Sequence, residues 1–150
     1  MSPVANTEAI TAADAAEQAG FPAAGDRLLA AWNSIYALKP DPSGAYRDAI
    51  RAVEALTNPI FLPNAPAPTL GQVIRRLDEH ASDYEVIAHK TGRPADVTAV
   101  LAMMRLLWAR RPTEGGPTTA PITPEAAQAA VALAVILVHL LATGSIRTAE

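Results

Sequence analysis

Seventeen consecutive residues, Ala126 to Ala142, hold only two polar side chains, Gln128 and His139. Thr123-Pro124-Glu125 ahead of them supplies a capping hydroxyl, a first-turn proline and an acid facing the helix dipole. Gly144 marks the end. A helix apolar on every side has to be enclosed by other helices, by a second subunit or by lipid. Its length falls just short of a bilayer span and its two polar residues interrupt the run, so the reading is a core helix with no membrane partner. The rest of the chain therefore has to supply the helices that cover it.

Helical spacing occurs throughout. A segment over about 7–19 ends at Gly20 and Phe21-Pro22, and residues 1–22 read as an N-terminal arm or short helix. Leu28, Trp32 and Ile35 share a face over about 23–38. Over about 44–56, capped by Ser43, Tyr46, Ile50 and Val53 turn inward, while Arg47, Arg51 and Glu54 lie on a charged, solvated face. Asn58 to Pro68 carries four prolines and reads as an extended connector. Thr69 and Gln72 have capping-box spacing for a helix to about His80. Val97, Val100, Leu101, Met104, Leu107 and Trp108 form a stripe over about 95–110. The aromatic share is 5% against 50% hydrophobic residues, so Ala, Leu and Val must build a core of closely approaching helices. The expected fold is all-α: a bundle of five to six helices forming one domain over 23–146. The last two pack antiparallel across a 111–122 loop, and 147–150 form a tail.

Composition removes several classes of function. Twelve Lys and Arg against 15 Asp and Glu give a net charge of -3, which provides no broad basic field, so an anionic partner must be held locally. Without cysteine there is no thiolate metal site and no Cys nucleophile. Residues 1–18 carry Glu8, Asp14 and Glu17 but no Lys or Arg, the reverse of a secretory signal, which sets a cytoplasmic expectation. Motifs for phosphate loops, dinucleotide binding, zincins and nucleophile elbows are missing. His80 and His89, with Asp78, Asp83 and Glu85 nearby, lack a ligand spacing, so neither a metal nor another cofactor is expected.

Several pieces in order carry a resemblance: Ala31-Trp32-Asn33, Asp41-Pro42-Ser43 before Tyr46, Ala49 to Glu54, Ala67 to Gly71, Leu101 to Trp108, Gly115-Gly116, and Glu125-Ala126 leading into Ala130 to Val135. Over roughly Ala31 to Leu141 the chain resembles the abortive-infection C-terminal domains of actinobacterial or phage type, grouped with the HEPN superfamily. That resemblance implies a helical, often dimeric domain of antiviral defence systems. Its members include metal-independent ribonucleases and domains that only bind nucleic acid or protein.

The catalytic signature of that superfamily is an Arg followed four to six positions later by a His. An arginine holds the scissile phosphate while an imidazole moves protons at the ribose hydroxyl or the leaving oxygen. Here the matching stretch is Arg110-Arg111-Pro112-Thr113-Glu114-Gly115-Gly116, and no His follows until His139. Glu114 stands where the His is expected, and a solvated carboxylic acid is ionised at neutral pH. Arg110 and Arg111 are the candidate nucleic-acid contacts, and Glu114 and His139 join them as catalytic candidates. The expectation is a noncatalytic HEPN-like domain of a phage-defence or phage-encoded system that binds protein or nucleic acid, RNA included, as a homodimer. The alternatives are a metal-independent endoribonuclease with a degenerate site and a structural or oligomerisation protein.

Overall fold

A computed structural model describes residues 3–87, 94–95, 97–112 and 122–148. Six helices form its body: α1 (Pro3–Gln18), α2 (Pro22–Ile35), α3 (Pro42–Phe61), α4 (Leu70–Glu79), α5 (Thr98–Ala109) and α6 (Pro124–Ala142). The all-helical bundle expected from the sequence is the architecture observed. Beside it lies a small antiparallel sheet, ordered β2-β1-β3, of β1 (Tyr84–Ile87), β2 (Pro94–Ala95) and β3 (Ile146–Thr148). Val86 pairs with Ala95 on one side and Ile146 on the other, so the expected tail is in part a strand.

α6 packs against α1, α2, α3 and α5. Leu28 and Ile35 of α2, Val53 and Leu56 of α3, and Val131, Leu137 and Val138 of α6 meet in the core. Burying each of these side chains contributes roughly 1.5–3 kcal/mol. Alanines set the spacing between axes: Ala9, Ala12, Ala13 and Ala16 form the buried stripe of α1. Where α1 meets α2, a Cβ on Gly25 would lie 2.8 Å from the Ala13 carbonyl oxygen, so that crossing admits only glycine without a shift. Of the two readings for the first residues, arm or short helix, the chain takes a helix, longer than expected and docked on the bundle.

Three expectations are corrected. The first cap of α3 is Asp41, whose Oδ1 accepts from the Gly44 amide at 3.0 Å, in place of Ser43. α3 runs through Pro59 to Phe61 although a proline donates no hydrogen bond within a helix. The cost falls near the helix end, and it is offset by burial of Phe61, which meets the Tyr84 ring edge-on at 5.3 Å. α5 begins at Thr98, not near Ala95, because residues 94–95 are taken by β2. Within the single chain, α6 keeps one open face among the described residues, where Ala129, Ala132 and Ile136 face outward. Two of these three are alanines, whose exposed methyl groups carry little apolar area. α6 is also the one described helix long and apolar enough to cross a membrane by length and composition, and in this fold it is a core helix with one open face.

Candidate functional site

Arg47, Ile50, Arg51 and Glu54 recur at three- and four-residue intervals, which places them on one face of α3. α3 turns that face toward the start of α4 and the end of α5. Between them lies a groove of about 500 Å³ lined by Arg47, Ile50, Arg51, Glu54, Thr69, Trp108, Arg111 and Pro112. The outer face expected to be merely solvated is thus the floor of a groove, because the chain returns over it twice, at Thr69 and at Trp108–Pro112.

Each wall is fixed by local chemistry. At the start of α4, Thr69 Oγ1 accepts from the Gln72 amide at 3.3 Å and Gln72 Oε1 accepts from the Thr69 amide at 3.1 Å, the reciprocal capping box read from the sequence. The next amide, Leu70, donates to Glu54 Oε2 at 2.7 Å, so α3 holds the head of α4 through a carboxylate placed at a helix N-terminus. At the end of α5, the Tyr46 hydroxyl donates to the Leu107 carbonyl at 2.5 Å and ties that helix back to α3. Burial pushes the Tyr46 phenol up from its usual value, against the charges of Arg110 and Arg111 and a hydrogen bond from the Arg110 backbone.

Trp108 and Arg111 form the far wall. The guanidinium of Arg111 lies 3.9 Å from the centre of the Trp108 ring, and its Nη1 donates to the Trp108 carbonyl at 3.0 Å. On α4, a Cβ on Gly71 would lie 2.8 Å from Trp108 Nε1, so the glycine lets the indole lie flush against that helix. Trp108, expected to serve packing, does so and also fixes the position of a groove cation.

Among the described residues, three arginines and one carboxyl line the groove. Burial raises the Glu54 pKa above the usual carboxylate value, and the Leu70 hydrogen bond and the Arg51 charge pull it back down. The concentration of cations is local, as the net charge of -3 requires. Such a site attracts an anion, and guanidinium groups match phosphate oxygens in geometry as well as charge.

No family model, curated protein or solved structure matches the chain.

Among the described candidates, His139 is set apart from Arg110 and Arg111. Arg111 lines the groove, while Arg110 is exposed beside it and acts on the Tyr46 phenol. Glu114 and His89 lie outside the described residues. His139 lines a different groove, of about 310 Å³, with Thr7, Glu8, Thr11, Val135, Ile136 and Leu140, and no arginine shares that lining. His80 sits 3.3 Å from Asp83 on an exposed turn, and among the described residues no group of three or more His, Cys, Asp or Glu is placed to hold a metal ion. Sequence reasoning passed over Arg47, Arg51 and Glu54. Their shared face was visible, but the segments that turn it into a groove were not.

Proposed function

We propose that this chain is a noncatalytic HEPN-like helical domain of a phage-defence or phage-encoded system, and that it binds RNA by its backbone in the arginine groove. The observation that carries the reading is the convergence of Arg47, Arg51 and Arg111, from two distant parts of the sequence, on one open groove. Three guanidinium groups over this span suit successive phosphates of a single strand, which bends to follow a groove more readily than a duplex does. Binding is favoured over cleavage because no imidazole is among the described lining residues, and the lining carboxyl already serves the Leu70 amide.

The test is binding of a single-stranded RNA to wild type and to an Arg51→Ala/Arg111→Ala double variant, at several salt concentrations and in EDTA. The expected outcome is a loss of affinity of about tenfold or more in the variant, with a shallower dependence on salt, by about 0.7 in log–log slope for each phosphate contact removed. Thermal unfolding should be nearly unchanged by the exposed Arg51, and the RNA should be recovered intact. Equal affinity for both proteins would refute the groove as the site, and cleavage by wild type alone would refute the noncatalytic reading.

A further inference from the structure

The groove lining contains a carboxylate of its own beside the charge of Arg51. Glu54 Oε2 is held on the Leu70 amide at 2.7 Å, so the group cannot swing away without giving up that bond, and the side chain remains part of the groove lining. The Leu70 amide and the charge of Arg51 act on it directly, and the other described polar or charged residues of the lining are Arg47 from α3, Thr69 at the head of α4, and Arg111 and Trp108 at the end of α5. Arginine keeps its charge throughout the ordinary pH range, and Thr and Trp carry none. Glu54 is therefore the only described lining residue whose charge changes between about pH 4 and about pH 8.

An anion seated on Arg51 lies near that carboxylate and repels it, the more strongly because the group is partly withdrawn from water. We propose, resting on the reading of the groove as an RNA-backbone site, that Glu54 is an internal competitor for the bound phosphate, and that RNA enters with uptake of one proton by the Glu54 carboxyl. The step is a proton transfer from solvent alone, in which the O–H bond forms on the carboxylate and no covalent bond of the ligand changes. Burial already favours the protonated form in the empty groove, and a neighbouring phosphate favours it further.

The direction follows from linkage. The occupied groove holds the proton to higher pH than the empty one, so affinity is highest below both pKa values and falls as pH rises between them. The total change is about tenfold for each unit that separates the two. The protonated carboxyl also becomes a donor toward a phosphate oxygen, whereas the carboxylate only accepts.

The experiment is calorimetric titration of an oligouridylate without terminal phosphates, whose charge is constant over this range, into wild type and Glu54→Gln at about pH 5 and about pH 8. Each titration is run in two buffers of different ionisation enthalpy. Glutamine keeps an oxygen for the Leu70 amide while removing the charge. Wild type should bind more tightly at the lower pH and take up a fraction of a proton approaching one per site between the two pKa values. Glu54→Gln should take up none and bind at the higher pH at least as tightly as wild type does at the lower. Binding without proton uptake by wild type, or uptake that persists in Glu54→Gln, would overturn the inference and leave the groove assignment standing. No binding by wild type at either pH would overturn both. The wild-type buffer comparison decides the matter even where the variant fails to fold.

Discussion

Two of the grooves lined by described residues differ in how the sequence builds them. The one beside α3, of about 500 Å³, draws its charged lining from residues 47–54 and from Arg111. The one between α1 and α6, of about 310 Å³, sets Val135, Ile136 and Leu140 beside His139 and the polar edge of α1. His139 is a candidate by residue type alone, too far along the chain for the Arg-to-His spacing, and its lining partners from α6 are apolar. Arg51 and Glu54, which match no motif, share a groove with Arg111. What assembles the arginine groove is the convergence of segments, which no isolated residue type signals.

The comparison breaks most sharply at Trp108. Trp108→Ala should cost about 3 kcal/mol, because it removes a large partly buried ring and the surface on which Arg111 rests. Urea unfolding reads that cost. RNA affinity measured well below the midpoint should fall as well, and unchanged affinity would show that Arg111 acts without its platform.

A smaller effect tests the state of the groove without any ligand. Burial raises the Glu54 pKa in the folded chain above its usual 4.5, so the folded state holds this proton to higher pH than the unfolded state does. The stabilisation from Glu54 is thus full below the unfolded value and is lost as pH rises through the raised folded one. Relative to wild type, Glu54→Gln should become more stable as pH rises from the unfolded value through the raised folded one and level off above it, read as a growing difference in melting temperature. A difference that shrinks with pH would mean that the carboxylate, not the acid, is the form the fold prefers.

The smallest effect belongs to the apolar groove. Ile136 is 47% exposed, so Ile136→Ser should change stability by no more than about 0.5 kcal/mol. His139→Ala should leave RNA affinity within twofold of wild type, since none of the described arginine-groove residues lines this opening. A marked loss of RNA affinity in either variant would join the two grooves into one functional surface.

Much of the fold was legible in the sequence because its signals are local. The Thr69–Gln72 box and the Thr123-Pro124-Glu125 start are each satisfied within one turn of helix, with Thr123 Oγ1 accepting from the Ala126 amide at 3.1 Å. The end of α3 was misplaced for the opposite reason. Pro59 carries a local penalty, and the burial of Phe61 that outweighs it depends on Tyr84, far along the chain. The small sheet was missed likewise, since β1 owes its existence to partners at 94–95 and 146–148.

For the site, the sequence named Arg111, which lines the arginine groove, together with Arg110 beside it, His139 in another groove, and Glu114 outside the described residues. The arginines and the carboxyl of α3 were in view as one helical face, and helical period alone cannot distinguish a solvated face from a covered one.

By itself, then, the sequence determined the helices: where prolines and caps start them, where apolar spacing turns them inward, and that alanine-lined faces would bring their axes close. The tertiary structure alone decided that the charged face of α3 lies under the head of α4 and the tail of α5. It also decided that Glu54 holds the Leu70 amide and that Arg111 rests on Trp108 above Gly71. The physical reason is range: capping and periodicity act within a turn or two of one helix, whereas a groove depends on how separate helices pack.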